Sequence, residues 1–330
     1  MQFGGGKPSP GVVFDSDLGA TIDDALALAL LYGLQGKGES RVVGVNVSRP
    51  CLQSTEFADV LVRFYTGEPG PFSVVQPIGM ALGPKPAPDT PLAGAPLARQ
   101  SPEGKPLYPR SIAKLNDTAD PIALIRNSLS AQYDDNAIVV CTGPATNLAG
   151  VLDLPEAKDL IARKVRHLVL GAGAYPDGPA DPAIRADIRA ARRILAEWPS
   201  PIVACGSEVG TAFPFPASSL DRDFAWAPTH PLVDAYRAAG TMPYDAPSTA
   251  MAAALYAVRS KENYFPLSGA GTITVLDDGR THFAAGEGKH RCLIVDLAQK
   301  ERVLQAYTEL ASTHPVPRQR FRPGAKKKQE

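Results

Sequence analysis

Over the first two-thirds of the chain, short apolar runs alternate with stretches of helical periodicity. The runs are Gly11–Phe14, Arg41–Val47, Phe72–Val75, Ala137–Cys141, His167–Leu170 and Ile202–Ala204. Most are rich in β-branched residues and bounded by turn or polar residues, the pattern of buried strands. Between them, helices are expected near Asp23–Leu34, Ser54–Tyr65, Asp120–Gln132, Pro155–Arg163 and Asp187–Ala196. Fully apolar strands alternating with helices predict an α/β fold, with a mostly parallel central sheet and helices on both faces. Ligands of such sheets bind beyond the carboxyl ends of the strands. Polar residues directly after each run therefore matter most for function.

The last third reads differently. Pro247–Val258 is expected to be helical. Thr272–Leu276 and Arg280–Ala284 flank Asp277-Asp278-Gly279, a hairpin signature. Arg291–Leu297 reads as another strand and Glu301–Ser312 as a closing helix. With no internal repeat and no clean linker, residues 11–312 read as one domain with a small β-rich C-terminal addition. Residues 1–10 read as a flexible N-terminus and residues 313–330 as a basic, disordered tail. The stretch Gly79–Arg110 holds 8 of the chain's 32 prolines. It begins at the ligand-binding end of the third run and is either a lid or an inert insertion.

Charge and composition exclude several classes. The 34 basic residues balance 34 acidic ones, which argues against nucleic-acid binding, where phosphate contacts call for a basic surplus. Thr313–Glu330 carries six basic residues and one acidic, leaving the body with 28 basic against 33 acidic. No apolar run reaches the ~18 residues of a membrane span, and the opening MQFGGGKPSPG has no apolar leader segment. Cys51, Cys141, Cys205 and Cys292 are widely separated, with neither a CxxC nor zinc spacing; three of them read as buried small hydrophobes. Together these features lead us to expect a cytoplasmic protein.

The strongest signal is GVVFDSDLGATIDDALALALL. Asp15 and Asp17 close the first strand, while Asp23 and Asp24 open the next helix. Four carboxylates within ten residues repel one another unless a cation neutralises them. All-oxygen ligands select a hard cation, Ca²⁺ or Mg²⁺. N-capping and the helix macrodipole are the simpler account of Asp23 and Asp24, but they leave Asp15 and Asp17 unexplained.

Four further segments accompany this motif: TGPATNLAGVL at Thr142–Leu152, RHLVLGAGAY at Arg166–Tyr175, DIRAARRIL at Asp187–Leu195 and YDAPSTAMAAALYAV at Tyr244–Val258. On these residues the chain resembles the calcium-dependent nucleoside hydrolase family of the inosine-uridine preferring type. The Asp motif and TGPATN are specific in combination; the others are weak alone. The family's common spacing is D-x-D-P-G-x-D-D, and here the second pair lies two residues further on. That is similar to a longer-loop branch, although Ala20-Thr21 stand where the branch usually has Asn-Asp. The resemblance implies a Rossmann-like core, a small-molecule nucleoside substrate cleaved to free base and ribose in nucleoside catabolism, Ca²⁺ as cofactor, and a homo-oligomer, dimer or tetramer.

It also implies roles by matched position. Asp17 corresponds to the metal-bound carboxylate that serves as general base toward a calcium-bound water, and Asp24 to the bidentate calcium ligand. The Thr142 carbonyl corresponds to a main-chain ligand and Asp245 to the distant Asp ligand. Asp23 corresponds to a ribose-hydroxyl contact and Asp15 to a supporting residue behind the ligands. Without the resemblance, Asp245 is most simply an N-cap and Thr142 an ordinary residue after a strand. The chemistry suits these groups: N-glycoside cleavage passes through an oxocarbenium-like sugar, a cation lowers the pKa of its water, and a carboxylate takes the proton.

The departures concern the sugar and the leaving group. Tyr244 replaces the His that the family often carries as leaving-group acid, and Tyr, with a pKa near 10, is a weaker acid. The family's Gly-Asn falls near Pro50-Cys51 and its Glu-Phe-Asn at Asp181-Pro182-Ala183, so two amides are absent. Asp181 is one replacement sugar contact. Glu208, after the sixth strand, is another, or else a solvated acid at a helix start. An atypical substrate is expected, with inosine and uridine cleaved poorly. Two other readings stay open. A calcium-binding sugar or nucleoside module without turnover would keep the cation site alone. A haloacid-dehalogenase-type Mg²⁺ phosphatase shares the apolar strand ending in D-x-D, but Gly19 stands where that family has Thr or Val.

Overall fold

A computed structural model of the protein describes residues 8–67, 76–83 and 85–315. Among these, nine strands form one sheet: β1 (Gly11–Ser16), β2 (Arg41–Val47), β3 (Ile78–Met80), β4 (Ala137–Cys141), β5 (Val165–Leu170), β6 (Ile202–Ala204), β7 (Gly271–Val275), β8 (Thr281–Ala285) and β9 (His290–Cys292). Their order is β3-β2-β1-β4-β5-β6-β9-β7-β8. Every pairing from β3 across to β9 is parallel, and the β7–β8 hairpin joins β9 antiparallel at the edge. From β1 the chain builds outward through β2 and β3, then returns to lay β4 on the other side of β1. The order therefore reverses between β1 and β4, where the crevice of an open α/β sheet opens.

The period-two alternation of the strands divides their side chains between two apolar layers. Val12, Phe14, Ile138 and Val140 face one layer; Val13, Val139, Cys141 and Leu168 face the other. The first layer is covered by helices including Ile22–Gly36, Leu52–Thr66, Thr249–Val258 and Lys300–Ala311, the second by Pro121–Ser130, Thr146–Val151, Ala157–Lys164 and Ile188–Glu197. Ile22–Gly36 is buried nearly all round, between the sheet and four other helices, which is why its sequence is apolar on nearly every face. Each fully buried leucine in it contributes about 1.5–3 kcal/mol, so the acidic first turn stands on a firmly packed support.

Several details differ from the sequence expectation. The run Phe72–Val75 lies outside the described residues; the third strand seen is Ile78–Met80, paired with Val45–Val47. The C-terminal strands are continuous with the main sheet, because β9 pairs parallel with β6 through Ile202↔His290. The strand expected over Arg291–Leu297 ends at Cys292, and Asp296 starts a short 3-10 turn by accepting from the Ala298 N–H. The described part of the proline-rich stretch is structured. It includes most of β3 and a helix, Pro91–Ala98, packed on Leu52–Thr66 and on Pro231–Ala239. No helix among the described residues is long and apolar enough to cross a membrane.

Gly33 sets the contact between Ile22–Gly36 and Lys300–Ala311, since a Cβ there would fall on the Leu310 carbonyl oxygen. Helix propensity alone predicts that Gly33→Ala stabilises by about 1 kcal/mol. The contact predicts the opposite sign, a loss of about 1–3 kcal/mol in denaturant unfolding. A stabilised variant would mean the helices do not meet at this glycine.

Candidate active site

The acidic loop lies at the sheet's switch point. Asp17 follows β1, Thr142 follows β4, and Asp23 and Asp24 occupy the first turn of Ile22–Gly36. A Cβ on Gly143 would fall on the Asp17 backbone nitrogen and the Ser48 hydroxyl, so the two strand ends approach as closely as glycine permits. Gly19, in the loop between Asp17 and the helix, has a φ of +92°, a conformation that favours glycine. Its carbonyl accepts from the Thr90 hydroxyl at 2.7 Å. The proline-rich stretch is thereby tied to the acidic loop, and its Leu92 lines the cavity.

That cavity has a volume of about 400 Å³. One wall carries Asp17, Asp23, Asp24, Asp181 and Thr142; Leu92, Pro182, Ala183, Tyr244 and Ala246 supply apolar surface. Asp24 is held by three hydroxyls. Its Oδ1 accepts from Ser16 at 2.8 Å and Thr142 at 2.7 Å, and its Oδ2 from Thr21 at 2.8 Å. Asp23 accepts from the Ala250 N–H at 2.6 Å and the Met251 N–H at 3.1 Å. It thus ties its own helix to the N-terminus of Thr249–Val258, where a carboxylate is favoured. Asp15 is fully buried behind the cavity; its Oδ1 accepts from Asn147 Nδ2 at 2.8 Å and its Oδ2 has no partner.

Burial pushes all four carboxyls above their ordinary range. Asp15 rises to about 7, against the lowering effect of the Asn147 bond. Asp23 is raised by burial and by Asp24, opposed by the backbone N–H groups. Asp17 is raised by burial and then by Asp24, while the Arg49 guanidinium pulls it down. Asp24 is raised by burial and opposed by its hydroxyl donors. Two neighbouring buried carboxyls cannot both ionise without cost; a shared proton or a cation must relieve them.

The expected site residues divide into those that face the cavity and those that do not. Asp181 lines it while also capping Pro182–Ala186, accepting from the N–H groups of Ala183 at 2.9 Å and Ile184 at 3.0 Å, and from Gly173 at 3.0 Å. Tyr244 lines it with its ring, stacked on Tyr236 at 4.7 Å. The Tyr244 hydroxyl donates to the Tyr236 carbonyl at 2.8 Å, and burial raises its pKa further, so it is poorly placed as a leaving-group acid. Glu208 does not line the cavity; its Oε2 accepts from the Tyr175 N–H at 3.1 Å, and burial raises its pKa.

Asp245 lies differently from the sequence expectation. It is exposed, does not line the cavity, and its Oδ1 accepts from the Ala217 N–H at 2.9 Å. The cause is the paired bridge between Phe215 and Ala246, which fixes the backbone so that Asp245 faces the start of Ser218–Arg222. The four-residue calcium shell therefore does not assemble, and among the described residues no three His, Cys, Asp or Glu side chains converge as a metal centre. What fits a cation is the Asp17–Asp24 pair beside Thr142. Charged oxygen donors of this kind suit a hard divalent ion, with other positions left to water and sugar hydroxyls.

Arg49 carries no signal in the sequence. It is buried, with Nη2 donating to the Pro88 carbonyl and Nη1 unpartnered. It is the one cationic side chain among the main influences on Asp17. Ser16, which the sequence does not single out, and Thr21, which marks a departure from the longer-loop branch, both donate to Asp24.

Comparison with known proteins identifies the family and the fold. The family model for inosine-uridine preferring nucleoside hydrolase matches residues 12–305. A plant nucleoside hydrolase superposes with a TM-score of 0.68 at 20% identity, covering 92% of this chain and 99% of its own. A purine-preferring ribonucleoside hydrolase from Gardnerella vaginalis gives 0.67 at 17%, covering 92% and 98%. The type III effector protein XopQ, solved with adenosine diphosphate ribose, gives 0.64 at 15%, covering 94% and 96%. At such identities these likenesses speak for the fold. A search of curated proteins returns no match. A family match running from the first strand into the closing helix, on a sheet whose switch point carries the acidic loop, decides membership: the chain belongs to the inosine-uridine preferring nucleoside hydrolases and is an N-glycosyl hydrolase.

Proposed function

We propose that the cavity hydrolyses the N-glycosidic bond of a ribonucleoside, with Asp17 as general base and with Asp17 and Asp24 holding a calcium ion beside Thr142. The observation that carries this reading is the pair of mutually unfavourable carboxyls, Asp17 and Asp24, on the cavity wall at the switch point. When bound, the divalent ion supplies charge that acidifies a water and orients the sugar hydroxyls.

The chain's own residues do the rest. The hydroxyls of Ser16, Thr21 and Thr142 fix Asp24 in one orientation. Asp17 takes the proton of the attacking water. Asp23, anchored by the Ala250 and Met251 N–H groups, presents its remaining acceptor capacity to a ribose hydroxyl. As the glycosidic bond lengthens, the sugar becomes oxocarbenium-like, and the acidic wall stabilises that positive charge through fixed dipoles and carboxylates. Leu92, Pro182 and Tyr244 offer apolar surface to the base and exclude water from it. The alternative, a binding module without turnover, retains the same pair; release of free sugar separates the two. Ribosides and deoxyribosides are therefore assayed for free sugar with and without a chelator, and calcium-dependent release supports the hydrolase.

Two variants test the assignments. Asp17→Asn, at saturating calcium and with an unchanged circular dichroism spectrum, should lose at least ~100-fold in kcat, the lower end of a general base's contribution. A rate within threefold of wild type would remove Asp17 from that role. Asp245→Ala should cost about 1 kcal/mol through the lost bond to Ala217 and leave calcium affinity within about threefold of wild type. A loss of tenfold or more would return Asp245 to the ligand set.

A further inference from the structure

Among the described residues, no His, Lys, Arg or Cys lines the cavity to protonate a departing base. The Tyr244 hydroxyl is committed to the Tyr236 carbonyl, and the Thr21 and Thr142 hydroxyls to Asp24. Asp23 and Asp181 use their oxygens as acceptors for backbone N–H groups. A neutral base leaving here must depart with negative charge, without the ~10²–10⁴-fold help that a general acid supplies.

The charge of the cavity points the same way. Four aspartates line it, and Arg49 is buried without lining it. An acidic wall with no cationic side chain among its described lining residues favours an electropositive ligand. The Tyr244 ring, backed by Tyr236 at 4.7 Å, adds an aromatic surface of the kind that attracts a cation.

Resting on the hydrolase reading above, we propose that the preferred substrate is a riboside whose base is already cationic, a ribosylpyridinium or an N7-alkylated purine riboside. The C1′–N bond breaks with its electron pair passing to the base nitrogen, and the base leaves neutral without gaining a proton. The water oxygen forms the new C1′–O bond and its proton passes to Asp17. No oxidant or reductant is involved.

The test compares kcat/KM for 7-methylguanosine with guanosine, and for nicotinamide riboside with uridine, using the wild-type chain with calcium. The cationic member of each pair should be favoured by at least ~100-fold, the contribution a missing acid forgoes. Because quaternised ribosides are intrinsically labile, Tyr244→His gives an independent readout. Installing an acid there, and removing the ring that attracts a cation, should raise guanosine hydrolysis at least ~10-fold without raising that of 7-methylguanosine. Guanosine cleaved within tenfold of 7-methylguanosine by the wild type, or both rising equally in Tyr244→His, would overturn the proposal and leave the hydrolase reading standing. Failure to cleave any riboside would overturn both.

Discussion

The site depends on the mutual repulsion of Asp17 and Asp24 at the end of the first strand, where burial removes the water that would otherwise screen them. The surrounding structure holds these charges in place. Ser16, Thr21 and Thr142 each donate a hydroxyl hydrogen bond to Asp24 and fix its orientation. The packed helix Ile22–Gly36 prevents its acidic first turn from retreating into solvent. Gly143 lets β1 and β4 close until the Asp17 backbone and Thr142 meet at one place. A group so constrained is poised to bind a cation or to take up a proton, and both properties serve hydrolysis.

The parallel core was legible because each strand is short, apolar and bounded. The alternation of Val12, Val13 and Phe14 between two layers is the physical reason such runs contain almost nothing polar. Less was legible at the edges. A three-residue strand such as Ile78–Met80 carries too few residues to show a period. The pairing of β9 with β6 joins segments far apart in sequence, which local patterning cannot reveal. The proline-rich stretch looked structureless because its helix is short and begins at a proline, a position where the ring costs no hydrogen bond.

At the site, sequence spacing located the carboxylates but not the directions of their side chains. Asp15, Asp17, Asp23 and Asp24 share one loop, so their proximity followed from the chain itself. Asp245 reaches the region only through tertiary structure, and the bridge at Phe215 turns it toward Ala217. Arg49 was overlooked for the converse reason: an arginine between elements is normally solvated, whereas here it is buried and donates to the Pro88 carbonyl of the proline-rich stretch. Tyr244 lines the cavity, while the reciprocal bonds between Tyr236 and Tyr244 that occupy its hydroxyl depend on a neighbouring helix.

If carboxylate repulsion governs the site, the cation should be held chiefly by Asp17 and Asp24. Calorimetric titration of calcium into the metal-free wild-type chain and into Asp24→Asn measures this directly. The account predicts one calcium per chain in the wild type and a loss of affinity of at least ~10–100-fold in the variant, the cost of losing even an outer partner of a metal site. No calcium binding by the wild type, or equal affinity in both proteins, would contradict it.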